Sequence, residues 1–208
     1  VSNIIRAYQH GIFPWPMEGY PMLWFCPKQR GVLDFKSLHL PRRLKREMRQ
    51  SPCLVTMDRA FVQVIEACST VPRGKDGGTW ILPELKEAYI NLFAAGHAHS
   101  VECWNGGVLV GGLYGVYIDG VFSGESMFFR ESNTSKFSLL FLVQYLQKLG
   151  LQWLDIQMVT PVLESLGVIY IDLVEYLRRV EEAQKVAVPF TPMGGEVRVT
   201  DICDTFGA

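Results

Sequence analysis

The chain has no excess of charge of either sign: 20 Lys and Arg stand against 21 Asp and Glu in 208 residues. That excludes a surface coated in positive charge for wholesale nucleic-acid binding, though not a local basic patch. No uninterrupted apolar run approaches the ~18 residues that a membrane-spanning helix needs, and no recognisable signal sequence follows Val1, so a cytoplasmic chain without a membrane partner is expected. The five cysteines, Cys26, Cys53, Cys68, Cys103 and Cys203, are an odd number without a C-x-x-C pair. A disulfide framework or a zinc site is therefore not indicated, and five separate reduced thiols are expected. Glycine is abundant, yet in Arg73 to Gly78 no Gly-Lys-Ser/Thr opens a helix, so this loop is a connector and not a phosphate-binding loop.

What is present is enough apolar residue, 49%, for a full core in one mid-sized domain or a large domain with a small attachment. The stretch that organises it runs from Trp104 to Arg130. Apolar and aromatic residues alternate with small ones through Val108 to Ile118, Asp119-Gly120 follows, and a second β-rich run leads into Gly124-Glu125-Ser126-Met127-Phe128. This pattern predicts a hairpin with an Asp-Gly turn. Glycines 111, 112, 115 and 124 in its strands mark a bulge or a place where a ligand approaches the backbone. Glu125 among apolar residues is either a paired structural charge or a ligand-reading carboxylate, because a buried carboxylate needs partners in both cases.

Ahead of the hairpin, a short helix ending at Gly11 leads into proline-punctuated aromatics from Phe13 to Pro27, a satellite core or pocket cover. Pro41 opens a helix whose Leu44 and Met48 face inward while Arg42, Lys45, Arg46 and Arg49 share another face. That concentration suits a phosphate backbone or is a solvated face. Asp58 is the expected N-cap of a helix to Cys68 with Phe61, Val62, Ile65 and Cys68 on one side, and Pro83 starts another that closes near Gly96. His97 and His99 lack a third metal ligand nearby, so ordinary hydrogen bonding is the simpler reading. After the hairpin, Phe137 to Leu149 is helical and Leu151 to Gln157 a buried strand, on which Asp155 and Gln157 point to the same side. They are the best catalytic candidates; alternatively they end the strand and cap the helix at Thr160-Pro161. A short helix to Gly167, a strand at Val168 to Ile171 and a helix from Asp172 to about Gln184 follow. The fold class is thus α+β, an antiparallel meander followed by helix-strand units on a mixed sheet. This is the layout of the acyl-CoA N-acyltransferase (GNAT-like) fold, but Met127 to Lys136 lacks the glycine loop that would bind a coenzyme A pyrophosphate.

Several motifs in fixed order carry a closer resemblance: AYQHGIFPW at 7–15, Trp24-x-x-Pro27 with Arg30, SLHLPRRLKR at 37–46, Thr79-Trp80-Ile81, GHAHSVE at 96–102, LVGGLYGV at 109–116, FSGESMF at 122–128, Ser135-Lys136, Asp155-x-Gln157 and Ser165-Leu166-Gly167. The sequence resembles the leucyl/phenylalanyl-tRNA protein transferases, with a small aromatic and proline-rich N-terminal domain at 1–36 and a GNAT-like domain at 37–208. The resemblance implies an aminoacyltransferase that moves leucine or phenylalanine, with methionine as a further donor, from aminoacyl-tRNA to proteins beginning with Arg or Lys, marking them for degradation by the N-end rule. It implies a monomer and requires no metal, cofactor or covalent enzyme intermediate. It places Trp80, Phe122 and Met127 in the aminoacyl pocket with Glu125 near the amino group, and Arg42, Arg43, Lys45 and Arg46 on the tRNA acceptor stem. Asp155 would polarise the Gln157 amide, which accepts from the attacking amine.

The chain departs from the family pattern at Ile156, where cysteine is usual, and at Thr160 to Leu163 and Ile171 to Val174, which lack the expected histidine and arginines. It also begins late, so a truncated or short N-terminal region is expected at Val1. The rival readings are an N-acyltransferase with another donor and a non-enzymatic binder of tRNA or N-terminal peptides.

Overall fold

Asp119 and Gly120 both adopt positive φ, 46° and 85°, the backbone that a two-residue hairpin loop needs for its twist to match the flanking strands. In the computed structural model, which describes residues 1–17, 19–71 and 81–206, that turn joins the two longest strands. The elements run α1 (Ser2–Gln9), β1 (Phe13–Trp15), β2 (Leu23–Phe25), β3 (Gln29–Asp34), α2 (Arg42–Gln50), β4 (Leu54–Met57), α3 (Phe61–Thr70), α4 (Pro83–Ala94) and β5 (Ala98–Asn105). They continue with β6 (Val108–Ile118), β7 (Val121–Phe129), α5 (Thr134–Lys148), β8 (Trp153–Gln157), α6 (Pro161–Glu164), β9 (Ile169–Asp172), α7 (Leu173–Lys185), β10 (Val197–Arg198) and α8 (Val199–Thr205). Among the described residues, β1 and β2 form a two-stranded sheet and the others an eight-stranded one in the order β10-β4-β5-β6-β7-β8-β3-β9. All its pairings are antiparallel except β7 with β8.

The sheet is covered on both faces, and the two-residue period of its strands decides which side chain goes where. On β6, Tyr114, Val116 and Ile118 join the core beneath α3 and α4, whereas Leu113 and Tyr117 belong to the core beneath α5. Helix α5 is apolar nearly all round, with eleven buried residues. It suits a position between the sheet and α8.

Three local expectations change. Asp58 does not cap α3: it sits at φ 55°, and its carboxylate accepts from the Ser100 backbone and meets His99 Nδ1 at 2.7 Å. Val62 is exposed and Val64 takes the inward position, because α3 starts later than Asp58 and its inward face is rotated. Helix α5 begins at Thr134, ahead of Phe137, because the left-handed Asn133 turns the chain into it. The tail beyond Gln184 has no legible pattern of its own. It adds β10 to the sheet edge beside β4, and α8 against α2. The cysteines are all free thiols, with Cys53 in contact with Cys103, whose pKa is pushed up by burial and by that neighbour. The connector at 73–78 lies outside the described residues.

Candidate active site

A bulge creates the site. Along β6 and β7 the register passes from Tyr114 opposite Ser126 to Gly115 opposite Gly124, which leaves Glu125 as the extra residue of β7. Glycine at 115 is obligatory there, since a β-carbon would overlap the Phe122 ring and the Ser123 carbonyl. On the other side β7 meets its parallel neighbour β8 at a single residue pair, Ser123 opposite Asp155. Beyond that pair a cavity of ≈ 330 Å³ opens between Gly124–Met127 and Ile156–Met158. Leu113, Leu139, Leu142 and Leu154 make its apolar walls, and Glu125 and Gln157 bring polar groups to it.

Glu125 is buried and heavily bonded. Its Oε1 accepts from Tyr8 Oη at 2.7 Å and from Gln157 Nε2 at 2.6 Å, and its Oε2 accepts from Tyr89 Oη at 2.8 Å. The two phenols also lie 2.8 Å apart. An ionised Glu125 leaves two hydroxyl protons for the three contacts in this ring; a proton on the carboxyl supplies the third. Burial pushes the Glu125 pKa up to about 7 against the opposing effect of the tyrosine hydrogen bonds, with the Asp155 charge adding to the rise. Burial and the Glu125 charge hold both tyrosines well above the ordinary phenol range, so they remain donors.

Asp155 lies beside this ring in a separate knot. Arg30 grips it bidentately, Nε to Oδ1 at 2.8 Å and Nη2 to Oδ2 at 2.7 Å. Ser123 Oγ and Tyr176 Oη donate to Oδ2 at 2.9 and 3.0 Å, and the Gln157 backbone N–H donates to Oδ1 at 3.0 Å. Arg30 is sandwiched between the Phe13 and Tyr176 rings at 4.5 and 4.6 Å, and its Nη1 reaches the Gly11 carbonyl at 3.0 Å. Burial, the largest single influence, lowers the guanidinium pKa, but the Asp155 charge and the hydrogen bonds to Asp155 together carry the net shift upward. Gln157 itself has φ 64° and is the centre of a γ-turn, in which the Met158 N–H bonds back to the Ile156 carbonyl at 2.7 Å. Such a turn is rare and strained.

Of the residues singled out from sequence, Glu125, Met127, Asp155 and Gln157 come together here. Asp155 touches the main chain of Gln157 and not its side-chain amide. Phe122, expected on the pocket wall, is not among the residues that line this cavity; it precedes the bulge and is 1% exposed in the core beneath α5, 5.9 Å from Phe190. Trp80 lies outside the described residues. On α2, Arg42, Arg43 and Arg46 are exposed and Arg43 pairs with Glu47. Lys45 is half-buried, its Nζ 2.9 Å from the Phe206 carbonyl. Tyr8, Tyr89, Arg30, Ser123 and Tyr176 complete the site, brought to it by tertiary packing from α1, α4, β3, β7 and α7. A cavity of ≈ 380 Å³ between α7 and the start of β8 has its arginines already paired with Glu175, Glu182 and Asp34. Among the described residues, no group of three or more His, Cys, Asp or Glu could hold a metal, and no helix is long and apolar enough to cross a membrane.

Comparison with known sequences identifies the chain's relatives. Residues 32–181 match the model of the leucyl/phenylalanyl-tRNA protein transferase family, and residues 1–28 match that of its N-terminal domain. The chain belongs to the leucyl/phenylalanyl-tRNA protein transferase family. The leucyl/phenylalanyl-tRNA-protein transferase of Christiangramia forsetii is 46% identical over 179 residues, 85% of this chain and 84% of the relative. That of Aromatoleum aromaticum is 49% identical over 164 residues, 79% and 69% of the two chains. That of Xanthomonas euvesicatoria is 42% identical over 207 residues, 98% of this chain and 83% of the relative. Within this transferase chain the family model spans the whole of β7 and β8, and therefore the bulge together with Asp155, Ser123 and Tyr176, whereas Arg30 falls between the two matched ranges.

Proposed function

We propose that the chain transfers leucine or phenylalanine from aminoacyl-tRNA to the N-terminal α-amine of a protein. The observation that carries this reading is the ≈ 330 Å³ cavity, walled by leucines and with Glu125 and the hydrogen-bonded Gln157 in its lining, in a member of this family. Its apolar volume suits a leucyl, phenylalanyl or methionyl side chain, with Glu125 beside the donor's amino group. An acceptor beginning with Arg or Lys, a cytoplasmic monomer and a role in N-end-rule degradation belong to the same reading. The parting of parallel β7 and β8 supports a GNAT-like architecture in which the donor enters between the two strands.

The reaction is aminolysis of a 3′-ester by an amine. The amine's lone pair attacks the ester carbonyl, the new C–N bond replaces the acyl bond to the tRNA 3′-oxygen, and the proton lost by the amine ends on that oxygen as the free 3′-hydroxyl. The ester is already activated, so catalysis consists of positioning the two reactants and stabilising the developing oxyanion. In this reading Gln157 donates through Nε2 to Glu125 and uses its Oε1 to accept from the attacking amine's N–H. Asp155 fixes where that amide stands, through the Gln157 main chain. Arg42, Arg43 and Arg46 offer charge to the acceptor-stem phosphates, and Lys45 does so at the helix face held by the tail.

The test is transfer of labelled leucine and phenylalanine from their tRNAs to a peptide starting with arginine, with an acetylated peptide as control. Label on the free-amine peptide alone is expected. Absence of transfer despite binding of the charged tRNA would replace the reading with that of a tRNA binder. Asp155→Ala and Gln157→Ala are expected to abolish transfer with tRNA affinity retained; unchanged turnover would remove both from the mechanism.

A further inference from the structure

Asp155 accepts five hydrogen bonds, two from Arg30 and one each from Ser123, Tyr176 and the Gln157 backbone. A carboxylate so occupied, in a fully buried pair with a guanidinium, is not a base for a substrate. Its hydrogen bond toward the cavity is the one from Gln157 N–H, inside the γ-turn at φ 64°. A turn of this kind persists only where its surroundings over-determine it. Those surroundings can be traced: Arg30 comes from β3, whose Gly31 pairs with Gln157 across the sheet, and a β-carbon at 31 would press on the Met158 carbonyl carbon at 3.1 Å and the Val159 nitrogen at 3.2 Å. Phe13 and Tyr176 hold the guanidinium plane from both sides, and the Gly11 carbonyl takes its remaining arm.

We infer that Arg30 is a positioning residue for the transfer reaction: through its two-pronged grip on Asp155 it holds the Gln157 turn, and so the orientation of the Gln157 amide toward Glu125 and the cavity. The inference rests on the proposed transferase reading. It assigns Asp155 the part of a mount for the turn, and Arg30 the part of the clamp that makes the mount rigid. Lysine at this position keeps the charge but offers a single point of attachment and cannot reproduce the fork. The amide then wanders, and a displacement near 1 Å in a reacting group is enough to cost about 100-fold in rate.

The experiment compares wild type, Arg30→Lys and Tyr176→Phe in single-turnover and steady-state transfer from phenylalanyl-tRNA to an arginine-initiated peptide. Thermal melting is recorded for each. Expected are a kcat loss of about 10- to 100-fold for Arg30→Lys and a smaller loss for Tyr176→Phe, which removes one donor to Asp155 but keeps the ring over Arg30. In both, KM for the charged tRNA is expected to stay within about threefold, because neither residue is placed in the donor's binding surface. In Arg30→Ala, guanidinium ion at non-denaturing concentration is expected to restore part of kcat without changing KM. An active wild type with kcat unchanged in Arg30→Lys, or with the whole loss in KM, overturns the inference and leaves the transferase reading standing. If Arg30→Lys fails to fold, Tyr176→Phe decides: wild-type kcat there overturns the inference. An inactive wild type that binds tRNA defeats the transferase reading itself, and the positioning role with it.

Discussion

Gln157 donates from Nε2 to Oε1 of Glu125 at 2.6 Å, so the candidate acceptor of the amine's hydrogen bond and the cavity carboxylate form one unit. The amide cannot turn without breaking a contact to a group that is itself tied to Tyr8 and Tyr89. Its backbone is held separately by Asp155. The orientation of that amide is therefore coupled to the protonation of Glu125.

Glu125 makes the fold sensitive to pH. The unfolded chain releases this proton near the ordinary carboxylate value of about 4.3, the folded chain only at about 7. Between the two the folded state holds a proton that the unfolded state has lost, so stability falls as pH rises through that window. The drop amounts to something on the order of 3 kcal/mol. Urea denaturation at a series of pH values is expected to show this slope in wild type and a flatter one in Glu125→Gln.

Met127 forms part of the cavity wall. Truncating it to alanine is expected to lower kcat/KM for leucine and phenylalanine by about 1–3 kcal/mol of transition-state binding. Binding of uncharged tRNA is expected to be unaffected, and competition with uncharged tRNA measures it.

The basic face of α2 is divided by the tail. Arg42 and Arg46 are exposed, whereas Lys45 is half-buried and held by the Phe206 carbonyl. Replacing Arg42 or Arg46 with glutamine is expected to reduce the salt-dependence slope of tRNA binding by about 0.7–0.9 per charge; Lys45→Gln is expected to reduce it less. Filter binding across a salt series distinguishes the three.

Gly11 has φ 72°, and a β-carbon there would stand 2.5 Å from Tyr176 Cε1, on the ring that covers Arg30. Gly11→Ala is expected to cost about 2 kcal/mol from the left-handed backbone and the forced ring movement. That corresponds to a Tm drop of about 4–8 °C for a chain of this size. Differential scanning calorimetry measures it.

The local sequence determined the elements that rest on near-neighbour physics. Asp119-Gly120 dictates a two-residue hairpin because both positions tolerate positive φ, Pro41 and Pro83 stand at helix starts where a missing N–H costs nothing, and alternation in β6 sorts its side chains between two cores. The order of strands and helices from Ser100 onward and the family motifs were legible for the same reason. Tertiary structure decided what depends on separation along the chain. Tyr8 and Glu125 are 117 residues apart and Arg30 and Asp155 are 125 apart, so no window of sequence shows that an arginine in β3 neutralises a carboxylate in β8, or that two tyrosines close a ring on a glutamate. The bulge that frees Glu125, the exclusion of Phe122 from the cavity and the docking of the tail on Lys45 follow from sheet register and packing. Those are properties of the whole chain, because each is fixed only when distant strands and helices compete for the same space.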